Sequence, residues 1–143
     1  MVTKVKKMAI VYLTRRERFN AAHKLRVKEW SAKKNAQVFG KCANKNFHGH
    51  NYDLFVTVKG APDPLTGFVM DAKVLSKLIK KEVLDHLDHS NLNKDVKFIS
   101  KKTQPTTENL VILIWKQLVP HICLLYTSPS PRDLSSSRMP SSA

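Results

Sequence analysis

Strand-forming residues, Val11, Tyr12, Leu13 and Thr14 among them, fill the chain from Ile10 to Phe19 and predict a first strand, followed by a polar stretch that delivers His23. Between Lys28 and Val38 apolar positions are sparse, so the pattern supports only a short surface helix or loop, ended by Gly40. Asn51 to Gly60 alternates clearly. Tyr52, Leu54, Val56 and Val58 fall on one face and Asp53, Phe55, Thr57 and Lys59 on the other, which is the period of a half-buried strand. Two prolines and Gly67 then predict a turn over Ala61 to Gly67, after which Phe68 to Met70 is expected to return antiparallel as a hairpin.

The period next changes from two to four. Leu75, Ile79, Val83 and Leu87 recur behind Asp71, a residue suited to cap a helix, with Val74 and Leu78 beside them and the lysines towards solvent. A second helix is expected from about Thr106, with Glu108 in its first turn, burying Leu110, Val111, Ile114, Trp115 and Leu118 and closed by Pro120. After Ile122 serine, proline and arginine dominate without apolar period, and residues 123–143 read as a disordered tail that looks foreign to the domain.

Length and composition add bounds. The chain has 143 residues with an apolar share of 42%, which suits one domain, taken as residues 8–122 behind a flexible stretch of residues 1–7. Neither a signal-peptide core nor a bilayer-length apolar run is present, so a soluble cytoplasmic protein with no membrane partner is expected. The net charge of +14 by itself suggests nucleic acid, an acidic surface or an anionic substrate. Its lysines lack the interleaved aromatics that stack on bases, which argues against nucleic acid. The two cysteines, Cys42 and Cys123, read as free thiols rather than a disulfide framework.

Candidate chemistry clusters around histidine. In His48-Gly49-His50 two imidazoles alternate along an extended backbone, so they share a face and can reach one ion, with Gly49 keeping the gap uncrowded. His23 can supply a third ligand if its strand pairs beside them. Three neutral ligands leave zinc an open position, as catalytic sites require, whereas Cys42 as a fourth ligand would close it. The basic neighbours of Cys42 favour a thiolate base, against the plainer reading of a buried structural cysteine. Asp88-His89 offers a carboxylate that could orient an imidazole, although adjacent residues on a helix diverge; Asp85-His86 repeats the pair.

Taken together, Phe39-Gly40-Lys41-Cys42, His48-Gly49-His50-Asn51-Tyr52, Leu87-Asp88-His89-Ser90-Asn91-Leu92 and Pro105-Thr106-Thr107-Glu108-Asn109 resemble the 6-pyruvoyl-tetrahydropterin synthases. The resemblance runs from about Arg15 to Val119 and includes the Asp63-Pro64-x-Thr66-Gly67 turn and Ala22-His23. It implies an α+β tunnelling fold, an antiparallel sheet backed by two antiparallel helices, whose protomers assemble as trimers and hexamers. By the family's pattern His23, His48 and His50 are zinc ligands, Cys42 is the proton acceptor, Asp88 and His89 form a relay, and Thr106, Thr107 and Glu108 contact the pterin. Asp85 and His86 fall outside the match.

The implied reaction converts 7,8-dihydroneopterin triphosphate to 6-pyruvoyl-tetrahydropterin with loss of triphosphate, on the route to tetrahydrobiopterin. The alternatives are a related 6-carboxytetrahydropterin synthase, which usually sets cysteine closer to the His-x-His pair, and a zinc-binding module without catalysis. The family's last two strands, one of which carries a pterin-anchoring glutamate, have no recognisable counterpart here, and Asp133 is the one acid in the tail. On that ground this chain is expected to be inactive or unstable as it stands.

Overall fold

The computed structural model describes residues 8–125, so the expectations for residues 1–7 and for the tail from residue 126 onward lie outside it. Strand β1 (Val11–His23) and strand β2 (His48–Gly60) pair antiparallel over their full lengths, from Val11 opposite Gly60 to His23 opposite His48. A two-residue strand β3 (Ser90–Asn91) lies parallel to Ala21 and Ala22, giving the order β2-β1-β3. The first strand thus includes His23 itself. Asn20 to His23 has little intrinsic strand preference, but β2 pairs with it on one edge while the His89 and Leu92 N–H groups donate to the Asn20 and Ala22 carbonyls on the other. Ladder bonds on both edges outweigh propensity there.

Helix α1 (Ala32–Phe39) fills the sparse segment, capped by Ser31, whose hydroxyl accepts from the Lys34 N–H, and ended by Gly40 at φ +56°. Buried Asn35 binds the N–H and carbonyl of Val27 and the carbonyls of Trp30 and Ser31, satisfying a loop that has no ladder of its own.

The expected hairpin after Gly60 is absent: among the described residues Phe68 to Met70 forms no strand. Asp63 closes the loop on itself. Its carboxylate accepts from the Leu65 and Thr66 N–H groups, and its own N–H donates to the Phe68 carbonyl. Only two residues then separate Phe68 from Asp71, which already caps the next helix by accepting from the Lys73 N–H. Met70 turns into the core and Phe68 to solvent.

Helix α2 (Ala72–Ile79), a π-helical turn (Lys80–Leu84) and helix α3 (Asp85–Leu87) follow one another without a break. Leu75, Ile79, Val83 and Leu87 are all 0% exposed. A strict four-residue repeat drifts by roughly 40° per step around an α-helix of 3.6 residues per turn. The wider π turn takes up that drift and keeps the four side chains on the core.

Helix α4 (Thr107–Leu125) buries Leu110, Ile114, Leu118 and Ile122. Two expectations are corrected here. Trp115 is 37% exposed and Val111 only partly covered, because each sits one position, about 100° around the helix, from the buried stripe. Pro120 lies inside the helix rather than at its end. It removes one N–H donor, but buried Ile122 and the His121 to Glu82 contact at 3.3 Å hold the following turn in place. The backbone of residues 123–125 therefore continues the helix past the expected domain end at Ile122.

The core lies between these helices and one sheet face, Phe19, Ala21, Leu54, Val56 and Val58, with Leu92, Val96 and Ile99 filling from the loop before α4. The opposite face is mostly polar, with Tyr12 and Phe55 exposed on it: Thr14 bonds Thr57 and Asp53 accepts from both Arg16 and Arg18. On the core-facing side β2 runs Val58, Val56, Leu54, Tyr52, His50, His48, so apolar packing passes directly into the histidines.

Candidate metal centre and active site

Register assembles the centre. His23 stands opposite His48, and His50 is two residues along the same face of β2. The His23 Nε2 lies 2.9 Å from the His48 Nε2 and 3.0 Å from the His50 Nε2. Cys42, on a short 3₁₀ turn (Gly40–Ala43), brings its Sγ into the same group, and the four donor atoms all lie within 4.8 Å of one another. The turn is tied to the end of β1 by the Leu25 N–H, which donates to the Cys42 carbonyl at 2.8 Å.

The donor set fits a divalent cation. The Pro105 carbonyl, 2.8 Å from the His23 Nδ1, can only accept, so Nδ1 carries the proton and the Nε2 lone pair faces the other two rings. One lone pair cannot satisfy two facing imidazoles well, and the His48 Nδ1 is buried without a hydrogen-bond partner. An ion shared by three Nε2 lone pairs resolves the convergence. Burial, together with the neighbouring imidazoles, lowers the His23 and His48 pKa values below the usual histidine range, although the Pro105 carbonyl partly offsets this for His23. Both shifts favour the neutral ring, the form that binds metal.

Gly49 is less constrained than the sequence suggested. A Cβ there would meet the Ala21 carbonyl oxygen at 3.7 Å, an ordinary contact. Tyr52 was not singled out. Its ring stacks on Phe19 at 4.7 Å and meets the edge of His50 at 5.9 Å, and burial, with the Cys42 thiolate adding to it, raises its phenol pKa. The alternation His48, His50, Tyr52 already carried that signal.

The helical rod ends at Leu87, so Asp88 and His89 do not diverge as helical neighbours would. Asp88 is extended and His89 is left-handed at φ +56°, which turns the His89 Nδ1 to within 3.1 Å of the Asp88 carboxylate. Asn20 fixes both: its N–H donates to Asp88 at 2.8 Å and its carbonyl accepts from the His89 N–H at 2.6 Å. The Asn20 amide lowers the Asp88 pKa, desolvation opposes it, and the His89 contacts lower it further. His89 is 79% exposed on its side chain and shares with His50 a cleft of about 550 Å³, lined also by Asn20, Gly49 and Asn91. By contrast, His86 packs edge-on against Phe98.

Thr106 caps α4, its hydroxyl accepting from the Asn109 N–H, while Thr107 and Glu108 are exposed and do not line that cleft. The motif reaches the metal centre through its first residue instead. Asn109 holds the Gln104 carbonyl, the Gln104 side chain pairs with the backbone of Arg26, and Pro105 between them presents its carbonyl to His23. A second cleft, behind the Cys42 turn, is lined by Lys24, Arg26 and Lys45.

The sequence profile of the 6-pyruvoyl tetrahydropterin synthase family matches residues 12–137. A protein of Drosophila melanogaster named 6-pyruvoyl tetrahydrobiopterin synthase is 43% identical over 76% of this chain, a match spanning 64% of that protein, just under two thirds of its length. Its namesake from Dictyostelium discoideum is 45% identical over 78% of this chain and 81% of its own. The structure of Caenorhabditis elegans 6-pyruvoyl tetrahydropterin synthase superposes with a TM-score of 0.73 at 38% identity, covering 88% of this chain and 93% of that one.

Proposed function

Since the chain belongs to the 6-pyruvoyl tetrahydropterin synthase family, we propose that it converts 7,8-dihydroneopterin triphosphate to 6-pyruvoyl-tetrahydropterin with elimination of triphosphate. The observation that carries this reading is the convergence of the His23, His48 and His50 Nε2 atoms beside the Cys42 thiol. Three imidazoles and an open place suit zinc, which when bound supplies Lewis-acid polarisation of a substrate oxygen. Cys42 takes the carbon-bound proton as general base. The Asp88 carboxylate holds the His89 ring, and His89, exposed in the cleft that also contains His50, passes protons to and from the substrate side chain. Thr106, Thr107 and Glu108 receive the pterin in this reading, and the cationic cleft of Lys24, Arg26 and Lys45 suits the phosphate chain.

Assembly into trimers and hexamers and a cytoplasmic site of action complete the proposal; no described helix is long and apolar enough to cross a membrane. The deciding assay follows pyruvoyl-pterin and triphosphate release with zinc-loaded protein, chelated protein and Cys42→Ala. We expect turnover in the first alone and, should this chain be inactive as it stands, in the zinc-loaded form of the same domain joined to the family's last two strands. Equal turnover after complete removal of metal, or a carboxy-pterin as the product, would exclude this function.

A further inference from the structure

Cys42 stands in two places at once in the chemistry above: near enough to the imidazoles to be a ligand, yet needed free to be a base. A tetrahedral ion with ordinary zinc bond lengths sets a nitrogen and a sulfur ligand roughly 3.6 Å apart. The four donor atoms here span up to 4.8 Å, so the group is about 1 Å wider than a closed site at its largest separation. The Cys42 carbonyl is pinned by Leu25, and the turn is bounded by the left-handed Gly40 and by the Asn44 N–H bonded to the Lys41 carbonyl. The thiol is only partly buried, and rotation about its χ1, in steps of about 120°, is the remaining freedom.

We propose that Cys42 is an exchangeable fourth ligand. With the substrate place empty its thiolate completes the centre with His23, His48 and His50, giving up its proton to solvent as the metal–sulfur bond forms. When a pterin side-chain oxygen takes that coordination place, the metal–sulfur bond breaks and the side chain swings off as an unprotonated base. The thiolate is thus generated by the metal and released only where a substrate can use it. This rests on the metal-dependent reading above. It predicts protection of the thiol in the resting protein, because a bound sulfur is a poor nucleophile towards alkylating agents.

The test uses the full chain loaded with cobalt in place of zinc, with 7,8-dihydroneopterin as the probe. A near-ultraviolet thiolate-to-cobalt charge-transfer band should be present at rest, absent in Cys42→Ala, and lost on saturation with the probe while cobalt stays bound. Iodoacetamide should modify Cys42 at least ~10-fold faster in metal-free protein than in loaded protein, and the probe should restore the fast rate. Stoichiometric cobalt without the band overturns the proposal and leaves the three-histidine reading standing. A band that survives saturation with the probe overturns the exchange and makes the site a closed one. Failure of the wild-type chain to retain any cobalt or zinc removes both the proposal and the reading beneath it.

Discussion

The two chemical groups of this molecule are built by opposite means. The histidine centre is set by strand register: His23 is 5% exposed, His48 faces it across the ladder, and the Pro105 carbonyl fixes its tautomer. The Asp88–His89 pair stands on a single turn at the end of a helix, with one residue in the left-handed region and two bonds to Asn20. The first is held by many weak constraints spread along two strands, the second by a few local ones. Damage to the two should therefore look different.

The sharpest contrast comes from His23→Ala, which should abolish stoichiometric metal binding and lower turnover by at least ~10³-fold, read by metal analysis beside the assay. Asp88→Asn should retain metal and the Asn20 bond to its remaining oxygen, yet lose turnover by about 10²-fold, because the charge that orients His89 is gone. If Asp88→Asn releases the metal instead, the two groups are not independent.

Replacing Leu87, fully buried directly before the turn, by alanine should cost about 2–5 kcal/mol in chemical denaturation. A smaller difference separates His89→Gly from His89→Ala. Glycine accepts φ +56° freely, so the glycine variant should be the more stable by about 1 kcal/mol although both lose the imidazole.

Acid should expose the centre too. His23 and His48 have lowered pKa values, so the unfolded chain binds protons first and stability present above about pH 6.5 is lost as pH falls below it. Denaturation of metal-free protein between pH 8 and pH 5 checks this, and His23→Ala should flatten the slope. The smallest effect is Gly49→Ala, expected to leave both metal content and turnover within about twofold, since the added Cβ meets only an ordinary contact.

Much of this was visible in the chain before any coordinates. The two-residue alternation in β2 and the four-residue repeat from Leu75 to Leu87 report burial directly, although Val74, expected to back that repeat, is 40% exposed. Pairing His48 and His50 on one face followed from the pleat alone. What failed was decided by contacts that no periodicity encodes. The Phe68 segment looks like a strand until Asp63 is seen closing the loop, and Pro120 looks like a terminus until Ile122 and His121 are seen anchored beyond it. No pattern announces that a backbone carbonyl 82 residues away orients His23. The angle between Asp88 and His89 was equally hidden, because it depends on where the helix stops.

The π turn at Lys80–Leu84 links the core to the chemistry in a way that mutational length changes would reveal. Deleting one residue there and winding the rest as α-helix would nearly preserve the bearing of everything beyond, whereas winding the same residues as ordinary helix without a deletion would rotate it by about 100°. In that second case Asp88 would point away from Asn20, and the carboxylate would lose its amide. The over-wide turn acts as an angular spacer: it sets the bearing of a proton-handling group from inside a greasy helix, with no polar contact of its own in the cleft.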